Sequence, residues 1–224
     1  MWEGFLNENN ITLEIFEYLE AHFLKAVARL NSDLLVIKDQ FISQYVRVIV
    51  YFVDDPLKIW IPRFFKFSGD EIKCSLATEI KLFLRNISKE QQKAWWERWL
   101  KKYWENRLGG VPAKLVPGEI ENMLEWLPLL KDSVFSEAVE VAIKMPPVQL
   151  NISNLIYNLK ETKLTEESPD SMARLLIYIG DTNCQSQIWY GGEEIINRLL
   201  KLTLPSDIKE QLKELAAKLS FICD

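Results

Sequence analysis

The sequence predicts an all-α protein, built of stacked helical hairpins as a HEAT-like α-solenoid or as an irregular helical bundle. Three observations carry this. Apolar residues recur at three-and-four spacing over almost the whole chain, the period of one helix face. Capping residues and prolines punctuate the runs. From Pro117 onward, paired segments recur at intervals of roughly 30 to 40 residues, the unit length of helical-hairpin repeats. The repeat is one of pattern only, with no residue signature shared between units.

From the amino end, Leu13, Phe16, Leu19, Phe23, Val27 and Leu30 form the stripe of a first helix. The run from Leu34 to Val53 is rich in β-branched residues between Val46 and Val53, yet Ile42, Tyr45, Val46, Ile49, Val50 and Val53 keep the helical period, so it reads as a second helix. Asp55-Pro56 breaks the chain, and Pro62 makes 58–67 a short helix or irregular link. Ser68 with Glu71 and Ser88 with Gln91 fit the capping box and open two further helices. The second of these is rich in tryptophan and ends at Gly109-Gly110, where a left-handed cap is sterically free.

Beyond the GGVPAKLVPG loop the helices shorten. Ile120, Met123, Leu124 and Leu127 precede Pro128; Phe135, Ala138, Val139 and Ala142 precede Pro146-Pro147; Ile152, Leu155, Ile156 and Leu159 come next. Ser168-Pro169 reads as a cap with proline in the first turn, leading into Met172, Leu175, Leu176 and Ile179. Ile195, Ile196, Leu199 and Leu200 make the next stripe, and Ser206 caps the last, through Ile208, Leu212, Leu215 and Leu219. The domain reading is 1–108 ending in the tryptophan helix, a loop at 109–117, and a paired-helix part at 118–224, with both parts free to share one core.

Composition narrows the function classes. The chain has 224 residues, 48% of them hydrophobic, enough for a substantial core. Its 27 basic and 32 acidic residues give a net charge of -5, against binding of nucleic acid or a membrane surface through overall charge. Met1 to Gly4 carry no signal-peptide pattern, which points to a cytoplasmic protein. The most apolar run, VRVIVYFV at 46–53, is too short to span a bilayer and is expected to be core. Cys74, Cys184 and Cys223 lack the close pairs of a zinc site and read as reduced thiols.

The stretch KAWWERWLKKYW at 93–104 poses the main question. On a helix, Trp95, Trp99 and Tyr103 fall on one line, with Trp96, Leu100, Trp104 and Leu108 beside it. Lys93, Glu97, Lys101 and Glu105 alternate in sign four apart, as on a solvated face. The broad apolar face reads first as core. Its functional readings are a protein-interaction surface of Trp95, Trp99 and Tyr103, or a nucleic-acid site in which Lys93, Arg98, Lys101, Lys102 and Arg107 neutralise phosphates beside aromatic rings. The acidic segment 117–145 nearby offers the basic helix an internal partner instead.

Catalytic signals are thin. His22 is the single histidine and reads as a helix-face residue. Asp54-Asp55 precedes a proline break, and Asp70-Glu71 suits the dipole of a first helical turn. Gly109-Gly110 and Gly191-Gly192 lack the context of a phosphate-binding loop. The sequons at Asn10, Asn86 and Asn151 read as helix starts. No catalytic residue, metal ligand or cofactor is expected.

WEGFL at 2–6, LEAHFLKAVARL at 19–30, WLKKYWENRLGGVP at 99–112 and EIENMLEWLPLL at 119–130 resemble the carboxy-terminal helical region of bacterial sirtuin-like antiphage defence proteins. The likeness covers most of the chain from Trp2, through aromatic packing patterns. In such proteins a sirtuin-like domain is associated with NAD breakdown, and the helical region is taken to sense infection or hold the assembly together. The glycine pattern of a sirtuin-like domain is absent from these residues. The resemblance therefore implies a non-catalytic part of a larger defence protein, recognising a protein partner or flanking domains.

Overall fold

A computed structural model describes residues 18, 21, 22, 70–108, 116–146, 150–183 and 189–220. Every described regular element is a helix, as expected of an all-α chain. They are α1 Asp70–Leu84, α2 Lys89–Trp95, a π-helical segment Trp96–Leu100, α3 Lys101–Leu108, α4 Pro117–Leu124 and a 3-10 turn Leu127–Leu129. α5 Asp132–Ala142, α6 Ser153–Lys160, α7 Leu164–Glu167, α8 Pro169–Asn183, α9 Gly192–Leu200 and α10 Ser206–Ser220 complete the order. No described helix is long and apolar enough to cross a membrane.

The chain divides into two compact units, Met1–Glu79 and Ile80–Asp224. In the first, Tyr18 and His22 are exposed and helical, and the imidazole Nδ1 lies 2.9 Å from the Tyr18 carbonyl one turn back. That arrangement accounts for His22 as a helix-face residue. Thr78 Oγ1 donates to the Cys74 carbonyl at 2.9 Å, and the Cys74 thiol is half-buried. The expected second helix, the link at 58–67, Asp54-Asp55, Ser68, Gly109-Gly110, Cys184 and Cys223 lie outside the described residues.

The second unit places the tryptophan helix in one core with the helices from Pro117 onward, where Pro117, expected as the end of a loop, instead opens α4. Two rows of packing organise it. α3 lies against α5, α5 against α8, and α8 against α10; beside them the 3-10 turn meets α6 and α6 meets α9. The rows join where α7 touches α8 and α9, and where α9 touches α10. Each helix turns the stripe read from the sequence inward, so that Phe135, Ala138, Val139, Leu155, Leu159, Leu175, Leu176, Ile196 and Leu212 are all completely or almost completely buried.

The local signals have local outcomes. At Ser88 both halves of the capping box form: its Oγ accepts from Gln91 N at 3.3 Å, and its own N donates to Gln91 Oε1 at 3.0 Å. Pro169 opens α8 in the first turn as predicted. Ser206 corrects the reading of the last helix, because it is the first helical residue and the Pro205 carbonyl accepts the first helical bond, from Lys209 N at 2.9 Å. Asn151 Oδ1 accepts from Ser153 N at 3.3 Å at the start of α6. Asn86 instead sits past the end of α1 and donates to the Leu82 carbonyl.

Candidate functional site

The tryptophan helix is a core element, and most of its predicted surface is buried. Trp96, Trp99, Tyr103 and Trp104 each keep 1% or less of their surface exposed, as does Trp126 from the turn after α4. Their rings interlock: Trp96 meets Trp104 edge-on at 6.2 Å, Trp104 meets Trp126 at 5.3 Å, and Tyr103 stacks on Trp126 at 6.1 Å. Two of the indole N–H groups are tied down as well. Trp104 Nε1 donates to the Ala138 carbonyl at 3.0 Å and Trp96 Nε1 to Glu137 Oε2 at 3.1 Å, both on α5. Of the predicted interaction residues, Trp99 and Tyr103 therefore offer a partner no surface. Trp95 alone remains half-buried, stacked on Phe83 at 4.0 Å with the Arg98 guanidinium 6.0 Å from its ring centre.

A feature the sequence pattern did not anticipate shapes this core. Residues WERWL at 96–100 form a π-helical turn, closed by the Lys101 N–H donating to the Trp96 carbonyl five residues back. The wider turn holds an extra residue and delays the next turn by about one position. The rings of Trp95, Trp99 and Tyr103 still meet in sequence along the helix, at 5.4 Å and 6.3 Å.

Most of the basic residues of the same helix are engaged within the protein. Arg107 pairs through Nε and Nη2 with both carboxylate oxygens of Glu119, and Tyr103 Oη donates to Glu119 Oε1 at 3.2 Å. Glu119 is 1% exposed and lies in the first turn of α4, where the helix N-terminus favours a carboxylate. Lys101 Nζ donates to Glu137 Oε2 at 2.7 Å. That hydrogen bond raises the Lys101 pKa above the ordinary amine value; the same bond, joined by the one from Trp96, lowers Glu137 below the ordinary carboxylate value. Lys93 lies 4.0 Å from Glu97, and Lys102 is exposed. The structure thus brings the five predicted phosphate-binding residues onto one helix but commits most of them to neighbouring carboxylates and an indole. Of the rings that would stack bases, Trp96, Trp99, Tyr103 and Trp104 are shut inside.

A buried glutamine completes the scaffold. Gln92 Nε2 donates to the Leu84 carbonyl at 3.1 Å and to the Leu129 carbonyl at 3.0 Å, joining the end of α1 and the 3-10 turn to α2. Lys81 adds an ion pair to Glu125 at 2.6 Å.

Among the described residues of the second unit, the exposed aromatic rings lie elsewhere, on α6 and just before α9. Tyr157 on α6 and Tyr190 just before α9 are 49% and 68% exposed, and their rings stack at 6.5 Å with an interplanar angle of 27°. The backbone that presents Tyr190 is held from three sides. Trp189 is buried, and a Cβ at Gly192 would stand 2.8 Å from its ring, so only glycine admits this approach. Gly191 takes a left-handed φ of 89°, and a Cβ there would stand 2.8 Å from the stem of Lys160. Lys160 Nζ in turn reaches Glu194 at 2.8 Å. Below the pair, Arg198 on α9 clamps both oxygens of Glu166 and donates to the Lys160 carbonyl at 3.1 Å.

The sequence held half of the signal for this pair. Tyr157 falls off the apolar stripe of Leu155, Ile156 and Leu159, as a surface aromatic does. That it meets Tyr190 depends on which helices pair, and no local pattern encodes that. Among the described residues, no group of three His, Cys, Asp or Glu side chains is placed to hold a metal ion.

A family model described as a domain of unknown function, DUF4020, matches residues 46–190, more than half of the chain. Neither the curated proteins nor the solved structures contain a match.

Proposed function

The chain belongs to the DUF4020 family of domains of unknown function, and from that premise we propose that it is a non-catalytic helical module that senses or binds a protein partner. The observation that carries the reading is the stacked, exposed pair Tyr157 and Tyr190 on a rigid frame. Tyrosine supplies contact area at low entropic cost and is enriched in protein interfaces, where its ring is covered and its hydroxyl stays hydrogen-bonded. The buried tryptophan cluster supports the reading from the other side, since it fixes the scaffold that holds such a surface. A setting in bacterial antiphage defence rests on the resemblance of WLKKYWENRLGGVP and EIENMLEWLPLL alone.

The test is affinity capture from lysate of the source cells, with the full chain as bait beside a Tyr157→Ser, Tyr190→Ser double variant of unchanged helicity. A protein retained at physiological salt by the wild type and lost by the variant is the expected result. Retention of the same proteins by both baits, or a steeply salt-dependent capture of nucleic acid alone, would contradict it.

A further inference from the structure

The tyrosine pair has a charge pattern that narrows its partner. Charged residues follow both rings: Lys160 and Glu161 come one turn after Tyr157 at the end of α6, and Glu193 and Glu194 stand in the first turn of α9, just after Tyr190 and the Gly191 turn. Three of the four are carboxylates. The single amine is already neutralised, because Lys160 Nζ lies 2.8 Å from Glu194. Glu161, Glu193 and Glu194 are all exposed, and the ion pair of Lys160 keeps its stem packed against Gly191, directly beside Tyr190. The residues next to the aromatic pair are therefore three exposed carboxylates and one amine, a net negative charge. A face of aromatic π-density edged by carboxylates is complementary to a planar cation, which stacks on the ring and donates to the carboxylates at once.

We propose that Tyr157 and Tyr190, with Glu161 and Glu193, form a docking surface for an arginine presented by a basic segment of a partner protein. Arginine fits better than lysine because its guanidinium is flat, weakly hydrated and forked, matching both ring face and carboxylate. An acidic peptide or a nucleic-acid backbone would meet the same carboxylates with repulsion, and an apolar segment would leave them without a partner. This assignment rests on the protein-interaction reading above and specifies its partner.

The test is titration of the full chain with a short fluorescein-labelled poly-arginine peptide, read by anisotropy at low and physiological salt, beside poly-lysine and poly-proline peptides. Poly-arginine is expected to bind more tightly than poly-lysine, and replacing both tyrosines by leucine raises its Kd roughly tenfold, equivalent to about 1.4 kcal/mol. Glu161→Gln with Glu193→Gln weakens binding in the same direction and flattens its salt dependence. Equal affinity for the two basic peptides, an unchanged Kd in the leucine variant, or preference for poly-proline would overturn the assignment. A capture that depends on the tyrosines while poly-arginine fails to bind would refute the arginine docking and leave the interaction module standing.

Discussion

At the scale of single residues, the arrangement with most at stake is Glu119 under Arg107 and Tyr103. Removing one partner of a buried charge pair strands the other charge in low dielectric, which costs more than the pair itself contributes. Arg107→Ala leaves Glu119 with the Tyr103 hydroxyl and the α4 N-terminus, so a loss of about 3 kcal/mol is predicted, the lower end for such sites. A urea midpoint shift at unchanged m-value measures it, and a loss under about 1 kcal/mol would show that Glu119 does not depend on the arginine. Glu137 makes a weaker, pH-dependent contribution. Its carboxylate is held below the ordinary value by Lys101 and then Trp96, so its stabilisation is full above the unfolded carboxylate pKa and lost as pH falls through the folded one. Lys101, raised by the same bond, loses its part only as pH climbs through the amine range. Because the pair is half-exposed, Glu137→Gln costs about 0.5 kcal/mol at neutral pH. In thermal melts the gap between variant and wild type should close below about pH 4; a gap that persists in acid contradicts the ion-pair account.

At the scale of elements, what was legible in the sequence was what is local. The Ser88 and Gln91 box, the proline opening α8 and the stripes of α5, α6, α8, α9 and α10 each depend on residues within one or two turns, and each formed. The π-helical turn at 96–100 escaped because an extra residue in one turn leaves no mark in a periodicity that assumes constant pitch. α7, four residues between α6 and α8, is too short to show a period. The contact of Tyr157 with Tyr190 escaped for a different reason: it joins segments whose pairing order no stripe specifies, whereas the pair of Arg107 with Glu119 is an instance of the internal partnership that the acidic segment 117–145 offered the basic helix. The Gly191 turn gives the element-scale prediction. Gly191→Ala forces a β-carbon into a left-handed backbone and against the Lys160 stem, costing about 1 to 2 kcal/mol and loosening the start of α9. Faster amide hydrogen exchange confined to the first turn of α9 is the expected sign; uniform exchange with unchanged stability would contradict it.

At the scale of the molecule, aromatic residues divide between two tasks. The rings of Trp96, Trp99, Tyr103, Trp104 and Trp126 tie the π turn and α3 to the turn after α4 and, through two indole hydrogen bonds, to α5, which makes KAWWERWLKKYW the spine of the second unit. The reading of that stretch as core, preferred on its alternating charged face, is the one its burial supports. The exposed pair is Tyr157 and Tyr190, of which periodicity marks only Tyr157 as lying off its apolar stripe. The measurement that tests this division most directly is hydroxyl-radical footprinting of the native full chain, with modification quantified residue by residue by mass spectrometry. The account predicts rapid labelling of Tyr157 and Tyr190 and strong protection of Trp96, Trp99, Tyr103, Trp104 and Trp126. Labelling of Trp99 and Tyr103 at the rate of Tyr190, in protein that remains folded, would contradict it and return the tryptophan helix to the surface.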